Sequence, residues 1–209
     1  MWSFWRCPED GWDYDRNPRN LPLLRARCEG ILRDMRKPDF RLLDEAKDTR
    51  KIHRRMFKGT TPICFPYYAG NYRGDSRYRC LKDCPIFIGQ FEGEPPQLVQ
   101  QHMDVLSQSI DKHQAAIKAN TGLPPKDRVL FVVSAVCAAL VAHQSIHPYA
   151  NGNGHAGRFL VWALLLHFGY IPRSWPLEER PPDPPFSSCI TAYRFGNPQP
   201  LETFVLGCL

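Results

Sequence analysis

Apolar residues recur every three to four positions along several stretches of the chain, with polar breakers between them. Leu23, Leu24, Ile31 and Leu32 predict a helix over residues 21–35, and residues 42–57 a second amphipathic helix ending before Gly59 and Pro62. Leu98, Met103, Leu106, Ile110 and Ile117 mark the buried side of a helix over 98–119, with Gly122 as its stop. The next run, Val129 to Ala142, is apolar nearly all round, as expected for the innermost helix of a bundle. It is also too short to span a bilayer. From about Gly154, Phe159, Leu160, Ala163 and Leu164 resume a helical rhythm, which Gly169 and Pro172 close. Strand signal is confined to Arg77–Gln90, where residues alternate around Lys82-Asp83 as in a short hairpin with Ile86, Phe87 and Ile88 as its apolar limb. Residues 1–20 form an irregular arm whose aromatics pack on the main domain, and the prolines of 175–186 predict an extended loop. The predicted class is mainly α, a helical bundle with one short β-hairpin.

Between the two apolar helices lies a polar, glycine-rich loop, His147 to Arg158. Pro148 ends the incoming helix and biases His147 away from helical dihedrals, so the imidazole sits at a bend. Gly152 and Gly154 permit positive φ and close approach of a ligand to backbone. Asn151 or Asn153 would bond back to the backbone or cap the next helix. Free N–H groups at that helix start, with its dipole behind them, make an anion site. Arg158, about one turn in, adds a planar fork suited to phosphate oxygens. A base beside a phosphate cradle suggests transfer of a phosphate-containing group.

The stretch His147-Pro148-Tyr149-Ala150-Asn151-Gly152-Asn153-Gly154-His155-Ala156-Gly157-Arg158 resembles the Fic signature, His-Pro-Phe-x-Asp/Glu-Gly-Asn-Gly-Arg-x-x-Arg. It departs at Asn151, where the family has an acid, and at His155, where it has an arginine. Ile52-His53-Arg54-Arg55-Met56-Phe57 followed by Tyr67-Tyr68-Ala69-Gly70-Asn71-Tyr72-Arg73 resembles a second landmark of that family, with His53 as a structural helix residue. By position the hairpin resembles the Fic flap, on which Ile86, Phe87 and Ile88 would clamp a target segment by strand addition. The resemblance implies a Fic-type bundle over residues 41–209, preceded by an arm and helix at 1–40. It implies transfer of AMP, or another nucleotide moiety, from ATP or a related nucleoside triphosphate to a Ser, Thr or Tyr hydroxyl of a target protein. His147 would be the catalytic base, while Gly152, Asn153, Gly154, His155 and Arg158 would hold phosphates. Asn151 would face Mg²⁺, and Tyr149 and Ile146 would anchor the loop. Arg25-Ala26-Arg27-Cys28-Glu29-Gly30 partly matches the family's inhibitory helix, with Glu29 engaging Arg158 and Arg25 replacing the usual hydroxyl. The two departures leave alternatives open: a catalytically weakened nucleotide- and protein-binding module, or a toxin regulated by a separate antitoxin, with self-association as a further partner mode.

Bulk properties change little. In 209 residues the net charge of +6 is mild and its Lys and Arg are dispersed, which argues against nucleic acid. Eight irregularly spaced cysteines predict mostly reduced thiols, and Cys80 with Cys84 lacks the second pair a structural metal needs. A zinc hydrolase built on His143, His147 and His155 is disfavoured, because Pro148 ends the helix at His147 and no glutamate adjoins His143. The apolar start, Met1 to Trp5, is too short for a signal peptide, so no membrane association is expected and the compartment is cytoplasmic or a host cytosol.

Overall fold

The structure, a computed structural model, describes residues 12–88 and 91–209. In chain order its helices are α1 (Asn20–Asp34), α2 (Leu42–Lys47), α3 (Arg50–Phe57) and the single turn α4 (Arg79–Lys82). The strands β1 (Phe87–Ile88) and β2 (Phe91–Glu92) come next, then α5 (Val99–Ala119), α6 (Pro125–Ile146), α7 (Asn153–His167), α8 (Phe186–Arg194) and α9 (Gln199–Leu206). The predicted mainly α class holds.

α6 is the axis of the bundle. Pro125 starts it, where a missing N–H costs nothing. Its residues Val132, Val133, Val136, Cys137 and Leu140 are wholly buried. α5, α7 and α9 pack around it, so apolar residues on every face find partners. At 22 residues, this helix is longer than the apolar run predicted, and long and apolar enough to cross a membrane. Here it is the central helix of the core instead. α7 lies antiparallel beside α6 at close range: a Cβ on Gly157 would stand 2.4 Å from Gln144 Nε2. On the other side, α1 buries Leu24, Cys28 and Ile31 against α3, the i, i+4, i+7 stripe of one helical face.

Two expectations need correction, and a third, that the thiols are mostly reduced, holds with one exception. The single helix predicted over 42–57 is two, broken at Asp48 and Thr49, because the Thr49 hydroxyl leaves the helix to meet the buried Tyr149 hydroxyl at 2.7 Å. The hairpin turns later than Lys82-Asp83: Arg79–Lys82 is helical, and the antiparallel pair runs Phe87↔Glu92 and Ile88↔Phe91. Among the cysteines, Cys28, Cys64, Cys84, Cys137, Cys189 and Cys208 are free, whereas Cys80 is disulfide-bonded and so cannot be half of a metal pair with Cys84.

Candidate active site

The α6–α7 loop is held from three sides. Tyr149 is fully buried and stacks flat on the His53 ring, centroids 3.7 Å apart. Ile146 is buried too, so both residues anchor the loop as expected. His53 itself accepts a hydrogen bond from Gly70 N–H at Nδ1 and therefore donates from Nε2 to the Asn151 carbonyl, 2.9 Å away. It is a loop-positioning residue, driven down to a pKa of about 3 by burial and so neutral. Gly152 adopts φ +78, and a Cβ there would meet Phe57 at 2.4 Å and His53 at 2.8 Å. Only glycine fits.

His147 ends α6 in the left-handed region, φ 51 and ψ 62, which is rare for a residue with a side chain. Its Nδ1–H donates to the Gln144 carbonyl at 2.8 Å, since a carbonyl can only accept. That bond fixes the tautomer and leaves Nε2 with a free lone pair, as a base requires. Burial holds the His147 pKa below the usual histidine range, and the Arg73 and Arg194 guanidinium groups push the same way. Gln144 also donates from its side chain to the Asn153 carbonyl at 3.2 Å, and its own carbonyl accepts Arg194 Nη2 at 3.1 Å. One residue thus ties the imidazole, the α7 start and α8 together.

The other anticipated residues lie around the first turn of α7, with their side chains already engaged. Asn153 forms a reciprocal pair with the Tyr149 backbone, 2.8 Å each way, so its amide closes the loop and its main-chain N–H remains at the helix start. Asn151 accepts Gly152 N–H at 2.6 Å and donates to the Trp12 carbonyl at 2.7 Å. The oxygen assigned to Mg²⁺ is therefore a loop cap. Among the described residues no group of three or more His, Cys, Asp or Glu is placed to hold a metal ion by itself. Arg158 donates from Nε to the Leu177 carbonyl at 2.9 Å and from Nη2 to that of Glu178 at 2.7 Å. Burial lowers its pKa to about 10, which leaves it charged at neutral pH. Its Nη1 lies over the first turn of α7, where a Cβ on Gly154 would stand 3.1 Å away. Backbone N–H groups and this guanidinium edge share one patch, a geometry suited to an anion.

His155 departs furthest from expectation. It is buried between Tyr14 and Phe57, ring centroids 5.6 and 5.4 Å away, with Nε2 unpartnered and a pKa near 3 from burial. It is a neutral wall residue, covered by the arm. Trp12 packs on His53, Phe57 and Tyr68 and donates Nε1–H to the Thr60 carbonyl, while Asn20 fixes the Tyr14 carbonyl. The Glu29–Arg158 contact is not formed: Glu29 is exposed, and Arg158 donates to the Leu177 and Glu178 carbonyls instead. Cys28, one position back, is the α1 side chain on that face, because one residue rotates a helix by about 100°. His143 is fully buried with both ring nitrogens unpartnered. Ile86, Phe87 and Ile88 lie far from the loop in sequence, but the flap is joined to it through Arg73. That arginine, Gln144 and Arg194 have no role in the sequence reading, whereas Trp12 and Tyr14 pack on the main domain as the arm's aromatics are expected to.

The family model for the Fic/DOC family matches residues 43–165, more than half of the chain. The chain belongs to the Fic/DOC family. The bundle is also similar to the crystal structure of BepC, a VirB-translocated effector protein of Bartonella tribocorum with bound AMPPNP. The TM-score is 0.64 at 16% identity, over 100% of this chain and 94% of that one, a likeness of fold. No curated sequence matches. For a Fic protein the match includes the whole His147–Arg158 loop and the flap, and it stops short of α8 and α9.

Proposed function

We propose that this Fic protein is a nucleotidyltransferase that moves AMP, or a related nucleotide moiety, from a nucleoside triphosphate to a hydroxyl of a target protein. The observation that carries the reading is the His147 tautomer: Nδ1–H is committed to Gln144, so Nε2 is free to take a proton beside an anion-binding helix start. Membership in the family and the AMPPNP bound to BepC support a triphosphate as donor. In the reaction the target oxygen attacks the α-phosphorus, its proton passes to His147 Nε2, and the α-phosphorus–oxygen bond to the β-phosphate breaks. Pyrophosphate leaves. The N–H groups of Asn153 and Gly154 and the Nη1 edge of Arg158 face the phosphate charge, and the Ile86–Ile88 limb receives an extended target segment. His155, walled in by Tyr14 and Phe57, holds no phosphate in this reaction.

The test is incubation with α-labelled ATP, UTP, GTP or CTP and a cell lysate. Label on protein that disappears in His147→Ala supports the reading; no label with any donor overturns it. A second reading, a nucleotide- and protein-binding module, is favoured by the engagement of Asn151 and Arg158 with the chain's own carbonyls. Calorimetric binding of a triphosphate without transfer would establish it.

A further inference from the structure

Among the described residues Arg73 is the largest fully buried side chain, 1% exposed, and it has no carboxylate in hydrogen-bonding contact. Burying a guanidinium without an acid is costly unless its donors are satisfied otherwise. Four of its five donors meet backbone carbonyls. Nε donates to His147 at 2.8 Å, Nη2 to Ile146 at 3.1 Å and Glu94 at 3.0 Å, and Nη1 to Cys84 at 2.9 Å. Its own N–H donates to the Pro148 carbonyl at 2.8 Å. The carbonyls belong to two places with different tasks. Ile146, His147 and Pro148 are the bend that sets the imidazole in its left-handed conformation. Cys84 and Glu94 are the two ends of the flap, outside β1 and β2, where Gly93 N–H closes onto the Ile86 carbonyl at 2.8 Å.

We propose that Arg73 is a positioning residue that fixes the flap at one set distance from the base, so that a hydroxyl on a docked segment meets His147 Nε2. The inference rests on the transferase reading and adds to it the part that aligns target with base. A lysine there keeps the charge but offers a point where a five-donor fork is needed. Without the fork the bend and the flap move independently, and misplacement of about 1 Å suffices to cost about a hundredfold in rate.

The experiment uses the full chain as Arg73→Lys and Arg73→Ala, the latter with and without added guanidinium. Three signals are read: transfer of α-labelled AMP to target protein, AMPPNP affinity by calorimetry, and ¹⁵N spectra of the His147 ring with Gly93 amide exchange. Expected are AMPPNP affinity within about twofold of wild type, transfer lowered about a hundredfold, a mixed His147 tautomer, faster Gly93 exchange, and recovery of Arg73→Ala by guanidinium. Retention of transfer within about threefold by Arg73→Lys overturns the proposal, as does a loss of transfer that tracks AMPPNP affinity. If Arg73→Ala folds only with guanidinium, restored melting without a restored His147 ring signal also overturns it. If the wild type transfers nothing, the transferase reading fails by itself. Arg73 is then judged by its other signals: coupling stands if ring tautomer and Gly93 exchange change together in Arg73→Lys, and falls if only one does.

Discussion

Single side chains decide whether the loop is a base beside an anion seat or a closed turn. Gly152→Ala places a Cβ 2.4 Å from the Phe57 ring at φ +78 and should cost about 3 kcal/mol in denaturant unfolding. Asn153→Ala leaves both the N–H and the carbonyl of buried Tyr149 without partners and should cost about 2 kcal/mol. The imidazole carries a signed expectation. Arg194→Gln removes a positive charge that depresses His147, so the NMR-detected titration of that ring should move up, and the acid limb of any transfer activity with it. A downward move would mean that loss of the Gln144 contact, rather than charge, dominates. Arg194 and Arg73 illustrate what residue letters hide: both act on main-chain carbonyls, and a carbonyl has the same identity at every position.

At the scale of elements, helix periodicity was legible because each face meets a uniform apolar core, which leaves a regular stripe in the letters. Boundaries set by a contact from elsewhere were not. The break between α2 and α3 depends on Tyr149, a hundred residues on, and the turn at Arg79–Lys82 mimicked strand alternation over only four residues. The inhibitory-helix resemblance failed through phase, since Glu29 lies one position from the face that Cys28 holds. The arm gives a prediction of its own. A ligand reaching His155 from the arm side must displace Tyr14, whose ring contacts with Phe57 and His155 are worth about 1 kcal/mol. Tyr14→Ala should therefore tighten AMPPNP binding about fivefold by calorimetry. Unchanged or weaker binding would show that the arm supports the seat rather than covering it.

Across the whole molecule, the family loop and the bundle were legible, whereas the occupancy of the seat by the chain's own groups was not, because it needs the arm, the 177–178 segment and the loop in one place. The same packing sets the response to acid. His53, His143 and His155 each have a folded pKa near 3, below the ordinary 6.5. Their unfolded forms bind protons first, so stability is whole above pH 6.5 and falls as pH drops toward 3. Each contributes a slope of about 1.4 kcal/mol per pH unit inside that window. His143→Leu removes one such proton without leaving a partner unpaired and should flatten the acid slope of melting temperature while keeping or raising stability at neutral pH. Trp12 has a separate consequence. Its indole touches His53, Phe57 and Tyr68 while its carbonyl rests on Asn151, so it forms an intrinsic fluorophore on the loop itself. Any event that lifts the segment should change the emission of this tryptophan, making the opening and closing of the seat observable in stopped flow without a label.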